Sequence, residues 1–179
     1  DACRNDCVSG LCGNGNLDAG EECDDGNDIT EDACDNACRT VRPDPALGLM
    51  HSCFLRAGRI YCGGVNTNGV LGRGDNLSTT TLVQVRDIDD ASDHSGGADH
   101  HCAVRSGGQV WCWGNNGHGE LGTGNETKSN VPVRAGTLTL VEEVAARKWG
   151  TCARRQDGTV WCWGYGGNGA NGDGTWDDR

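Results

Sequence analysis

The sequence predicts an all-β chain: a partial β-propeller of antiparallel blades behind a small disulfide-rich module. Three observations predict it. Cysteine pairs recur with a period near fifty residues, each pair sits in mirror placement about a glycine-containing turn, and a string of glycines follows each pair at a constant offset. A period of roughly 40 to 50 residues with strand-like content is that of propeller blades. Helical repeats of that length would need long Leu/Ala amphipathic runs, and only Val141 to Arg147 faintly offers one.

Composition bounds the answer. Leu, Ile, Val and Phe total 28 of 179 residues and the net charge is −11, which alone would suggest disorder. Twelve Cys and six Trp, regularly placed, overrule that reading. Thirty Gly fit many tight turns and few helices. No run of about 18 apolar residues exists, so no membrane-spanning helix is expected. Lys plus Arg is 15 against 26 acids, which excludes a strongly basic nucleic-acid binder.

The first element is residues 1–40. It carries −9 of the net charge and six of the cysteines, whereas 41–179 carries −2 and the other six. Such density in an even set reads as a disulfide scaffold, with Cys3, Cys7, Cys12, Cys23, Cys34 and Cys38 paired among themselves. Zinc is the rival. The three-residue spacings Cys3 to Cys7 and Cys34 to Cys38 are not the usual knuckle, and no His precedes residue 51. Disulfides imply export, to an extracellular or cell-surface setting. Within this module Asp18, Glu22, Asp24, Asp25, Asn27 and Asp32 crowd hard oxygen ligands that suit calcium, although the spacing is not an EF-hand. The competing reading is a solvated acidic loop with Asx-turns.

The second element is a linker at 41–47, where Pro43 and Pro45 hold the chain extended. The third, residues 48–179, is the repeat. Cys53, Cys102 and Cys152 are 49 and 50 apart, and Cys62, Cys112 and Cys162 are 50 and 50 apart. Pairing Cys102 with Cys112 leaves the loop Ser106-Gly107-Gly108; pairing Cys152 with Cys162 leaves Gln156-Asp157-Gly158. Both end in Gly, where a left-handed residue is needed. Pairing Cys53 with Cys62 leaves Ala57-Gly58, so a shorter turn absorbs a one-residue deletion. Directly opposed residues of a hairpin lie within disulfide reach, so Cys53–Cys62, Cys102–Cys112 and Cys152–Cys162 are the expected bridges. Alternation puts Trp111, Trp113, Trp161 and Trp163 on the face opposite the Cys. Packing between blades is their expected role, with a light-absorbing role as the alternative. The glycines that follow are Gly69, Gly72 and Gly74, then Gly119, Gly122 and Gly124, then Gly169, Gly172 and Gly174.

The text H-C-A-V-R-S-G-G-Q-V-W-C-W-G, continuing through Leu121 to Gly124, resembles the repeat of the regulator of chromosome condensation family. His101 is read as that repeat's His, placed directly next to Cys rather than separated from it by one residue. Met50–Gly74 and Gly150–Gly174 carry worn copies. The resemblance implies blades of four antiparallel strands, about two and a half of them here, out of a seven-bladed ring. The simplest expectation is that 41–179 begins a longer propeller. Cys12-Gly-Asn-Gly, Gly20-Glu-Glu-Cys23-Asp-Asp-Gly-Asn, Cys34 and Cys38 are similar to the myxobacterial-type cysteine-rich repeat, a full copy at 12–38 behind a partial one at 1–11.

Catalytic signatures are absent. No Ser lies in G-x-S-x-G, no G-K-[ST] follows the glycine strings, and no sialidase signature occurs. His94, His100 and His101 form the main His cluster. The expectation is one strand residue, His101, with His94 and His100 in loops; a metal site of His94 and His100 with Asp93 or Asp99 is the alternative. Asn76-Leu77-Ser78 and Asn125-Glu126-Thr127 are sequons at near-equivalent positions. The function expected is an exported, non-enzymatic recognition protein whose propeller loops bind an extracellular protein or other ligand, with no nucleic acid. The alternative is the non-catalytic part of an exported hydrolase.

Overall fold

The computed structural model describes residues 44–179. Every regular element among them is a strand except one 3-10 turn at Gly167–Gly169. The strands are β1 (Asp44–Leu47), β2 (His51–Arg56), β3 (Arg59–Gly64), β4 (Thr79–Gln84), β5 (Ala91–Gly96), β6 (His100–Arg105), β7 (Val110–Gly114), β8 (Ser129–Arg134), β9 (Val141–Arg147), β10 (Gly150–Arg155) and β11 (Val160–Gly164). They form three antiparallel sheets: β1-β2-β3-β4, β5-β6-β7-β8 and β9-β10-β11. Each sheet is one blade, and the fold is a run of propeller blades. No helix among the described residues is long and apolar enough to cross a membrane.

Each blade is centred on a hairpin whose register places its cysteines opposite one another: Cys53 with Cys62, Cys102 with Cys112 and Cys152 with Cys162. The sulfurs are bonded at 2.07, 2.13 and 2.12 Å. The turns follow from chain length. Ala57 and Gly58 both take positive φ, 48° and 76°, as a two-residue hairpin loop of matching twist requires. In the longer loops Gly108 and Gly158 alone supply the left-handed residue, at 68° and 81°.

Asp44–Leu47 corrects the linker reading: it is the first strand of the first blade. Pro45 fits there because β1 is an edge strand, where a missing N–H costs no ladder bond. Val141–Arg147 likewise is not a helical run. It is β9, and its buried residues Val141 and Val144 are three apart because the strand bulges: Arg154 pairs with Glu143, but Arg155 pairs with Val141. β5 carries the same irregularity between Ala91 and Asp93, which turns both Ala91 and His94 inward.

The core lies between blades. One cluster joins Cys53, Ile60, Cys62, Leu71, Val85 and Ile88 of the first repeat to Ala103 and Trp113 of the second. The next joins Cys102, Val104, Val110, Cys112 and Leu121 to Ala153 and Trp163 of the third. So the cysteine face of one blade packs on the tryptophan face of the next. Burying a side chain such as Trp113, which is wholly inaccessible, contributes on the order of 2 to 3 kcal/mol.

Candidate functional site

The blades meet at seams built on a fixed plan. The Trp113 indole N–H donates to the Val70 carbonyl at 2.7 Å, and the Trp163 indole N–H donates to the Glu120 carbonyl at 2.8 Å. Val70 and Glu120 are fifty residues apart, so one bond is made twice. The glycine string is closed by an asparagine. Asn66 Oδ1 accepts from Leu71 N–H and its amide donates to the Asp75 carbonyl; Asn116 does the same with Leu121 and Asn125. All nine string glycines have positive φ. They are turns, as their recurrence predicts. Gly166 stands where Asn66 and Asn116 stand, and the third loop is held otherwise: Asp178 Oδ1 accepts from Gly166 N–H, and Asn171 donates to the Gly164 carbonyl.

His51, His94, His100 and His101 are all in strands, which corrects the loop placement of His94 and His100. His51 pairs with Gly64 and His100 with Gly114, so His100, not His101, occupies the repeat's His position. His101 stands where the other blades have Ser52 and Thr151. Neighbouring residues of a strand face opposite ways. His101 turns toward the first blade, stacks on Trp113 at 5.1 Å and bonds His94 Nδ1 through Nε2 at 2.9 Å. His100 turns toward the third blade and bonds Thr151 Oγ1 at 3.0 Å. His94 and His100 therefore do not converge. Asp93 is engaged elsewhere, accepting from Val144 N–H at 2.6 Å. Burial pushes His51 and His100 down to about 4 and His101 well below the usual imidazole range.

Beside the second seam runs a groove of about 670 Å³, with His118, Glu126, Leu138, Arg155, Trp161 and Arg179 on its walls. At His118 the groove wall meets an aromatic cluster. His118 lies 5.0 Å from Tyr165 and 5.8 Å from Trp149, and Trp149 lies 5.5 Å from Tyr165. Lys148 Nζ sits 4.1 Å over the Trp149 ring, and His118 Nδ1 meets Asp178 Oδ2 at 2.9 Å. Sequence reading missed this cluster. Its signal was the departure of the third repeat from the pattern, at Trp149, Tyr165 and Gly166. Trp161 holds the register of Trp111, each opposite an Ala, but Trp161 is 56 % exposed. The groove walls present flat aromatic surface and both signs of charge.

The calcium candidates Asp18, Glu22, Asp24, Asp25, Asn27 and Asp32 lie outside the described residues, as do Cys3, Cys7, Cys12, Cys23, Cys34 and Cys38.

Comparison with known proteins agrees with this geometry. The model of the regulator of chromosome condensation (RCC1) repeat matches residues 107–153, and a second model of that repeat matches 91–120. No curated protein matches the chain. Among solved structures the chain is similar to Prp20p from Saccharomyces cerevisiae, at 20% identity and a TM-score of 0.67, over 79% of this chain and 37% of that one. The structure of yeast RCC1 (Prp20) bound to Kap60 gives 19% identity and 0.66, over 80% and 36%. Human WBSCR16 gives 22% and 0.61, over 73% and 36%. The chain thus spans little more than a third of each, and the likeness is one of fold. The Prp20p structure was described together with that protein's binding to Gsp1p and histones.

Proposed function

We propose that the chain is an exported recognition module, without catalysis of its own, whose propeller loops bind a protein partner. The observation that carries this reading is the groove beside the second seam, which has the 56% exposed Trp161 on its wall and His118, a member of an aromatic cluster with Trp149 and Tyr165, beside it. Aromatic rings give large contact area at low entropic cost and dominate binding at interfaces. Three disulfides in the described blades favour an oxidising setting outside the cell. The reading is supported by Prp20p, whose structure was described with its binding to Gsp1p and histones and was also solved bound to Kap60.

The test is a binding assay with the oxidised chain immobilised and the extracellular proteins of its source passed over it. A retained partner should lose at least about tenfold in affinity with Trp161→Ala, a change of the size expected at an aromatic anchor. Equal retention by Trp161→Ala and by Leu77→Ala, an exposed control in the first repeat, would remove the groove from the interface.

The acidic residues 1–40 belong to the same proposal. Disulfides confined among the six cysteines would hold nine net negative charges close together, and calcium bound by Asp18, Glu22, Asp24, Asp25, Asn27 and Asp32 would turn repulsion into coordination. Extracellular modules need only weak affinity, on the order of 10⁻⁴ to 10⁻³ M. Calorimetric titration of the full oxidised chain should give a heat signal at millimolar calcium that Asp24→Asn/Asp25→Asn reduces. A flat titration assigns the acids to a solvated surface.

A further inference from the structure

The two seams share one plan, and a single residue breaks it. In the second seam His100 Nε2 meets Thr151 Oγ1 at 3.0 Å, and Cys102 Sγ lies 3.6 Å from the same hydroxyl. The equivalent residues of the first seam are His51, Cys53 and His101. A small rotatable hydroxyl has been replaced there by a rigid imidazole. The consequence is visible in the hydrogen bonds: His51 Nε2 and His101 Nδ1 are both buried and have no partner among the described residues. His101 is 0% exposed and His51 6%. Leaving a buried nitrogen unmet costs on the order of 1 to 3 kcal/mol, and here two are left within one niche.

What lies in the niche is a ligand set. The two rings stand 5.9 Å apart at 67°, and one atom from each of His51, Cys53 and His101 can be chosen so that all three lie within 4.8 Å of one another. His101 is already fixed through its other nitrogen by His94 at 2.9 Å. That is the arrangement by which a metal-ligating histidine is oriented from behind. Both rings are kept neutral by burial, the form a metal needs. What withholds the third ligand is the bond from Cys53 to Cys62.

We propose that opening the Cys53–Cys62 bridge converts this niche into a metal site, in which Cys53 Sγ, His51 Nε2 and His101 Nδ1 bind a borderline divalent cation such as Zn²⁺. The reductant is a small thiol. Its thiolate attacks Cys62 Sγ and expels Cys53 as thiolate; a second thiol resolves the mixed disulfide, so two small thiols are oxidised to one disulfide and Cys62 ends protonated. Cys53 stays deprotonated as it takes the cation, and any proton it gained goes to solvent. Bond lengths of about 2.3 Å to sulfur and about 2.0 Å to nitrogen require the ligand atoms to draw together by roughly 1 Å, which a side chain freed from its bridge allows. The second seam cannot do this, since Thr151 supplies a hydroxyl already donating to the Glu120 carbonyl.

The test uses the full chain under oxidising conditions, so that the other bridges stay closed. Cys62→Ser leaves Cys53 as the free thiol; Cys53→Ser opens the same bridge but leaves Cys62. Cobalt is the probe, read by its thiolate-to-metal absorption, with Zn²⁺ in competition. Cys62→Ser should bind one equivalent with that band, at least about tenfold tighter than Cys53→Ser. His101→Thr in the Cys62→Ser background, which restores the plan of the second seam, should abolish the gain. Equal binding by the two single variants overturns the proposal, and so does binding that survives His101→Thr. Melting gives a second readout: Zn²⁺ should raise the melting temperature of Cys62→Ser and not of Cys53→Ser. A Cys62→Ser chain that fails to fold and is not rescued by Zn²⁺ overturns it as well.

Discussion

His100 and His101 are neighbours with opposite surroundings, and the difference sets a pH dependence. His100 is held down to about 4, first by burial, then by repulsion from His51 and Arg147, against a backbone hydrogen bond at Gly150 that raises it. An unfolded histidine titrates near 6.5. Between those values the unfolded chain takes up a proton that the folded chain refuses. Stability is therefore full above about pH 6.5 and falls as pH drops towards 4, by about 3 kcal/mol for His100 alone. Urea midpoints of wild type and His100→Gln at pH 7 and pH 4.5 check this: the wild type should lose more, and parallel losses would refute it. Glycines give a second residue-scale contrast. A Cβ at Gly72 would sit 2.8 Å from the Trp113 indole nitrogen, whereas one at Gly124 would meet nothing within 4 Å; both have positive φ. Gly124→Ala should cost only the left-handed strain, on the order of 1 kcal/mol, and Gly72→Ala clearly more, as thermal melting would show. Which histidine filled the repeat's position was not legible in the sequence. Two adjacent histidines before one Cys satisfy the motif ambiguously, and only the pairing of His100 with Gly114 decides.

At the scale of elements, legibility followed chemistry. The hairpins β2–β3, β6–β7 and β10–β11 could be placed to the residue, because a disulfide demands opposed partners and a glycine marks the turn between them. The strands β1, β5 and β9 could not. In β5 and β9 a bulge puts buried residues three apart, and a spacing of three reads as a helix. In β1 proline masked a strand that needs no inner partner. The seam bond is the element-level prediction. Trp113→Phe keeps the ring but leaves the Val70 carbonyl without its donor, and should cost about 1 to 2 kcal/mol in chemical unfolding. Trp161→Phe, at an exposed position in the third blade, should cost less than about 0.5 kcal/mol. Equal costs would mean that the indole N–H contributes nothing to the seam.

At the scale of the whole molecule, a fifty-residue period makes each blade lean on its neighbour, so the described sheets end in faces that differ from their interior equivalents. Val110 of β7 is inaccessible, whereas Val160 of β11 is 62% exposed and Trp161 56%. The reason is topological: β7 lies between β6 and β8, whereas β11 pairs only with β10 and is the edge of its sheet. An edge strand offers N–H and C=O groups for pairing; at the end of β11 Gly164 already exchanges both bonds with Arg179, and the start of the edge lies beside exposed valine and tryptophan, the combination that recruits another chain. The 179-residue chain should therefore self-associate with rising concentration. Contacts that are mainly apolar and backbone-mediated should change little between low and high salt, since screening acts on charge. Val160→Lys adds a charge at the edge and should shift sedimentation towards the monomer while leaving the circular dichroism unchanged. The same substitution at the inaccessible Val110 should unfold its blade. If Val160→Lys sediments as the wild type does at every concentration, the edge is not the surface through which copies meet.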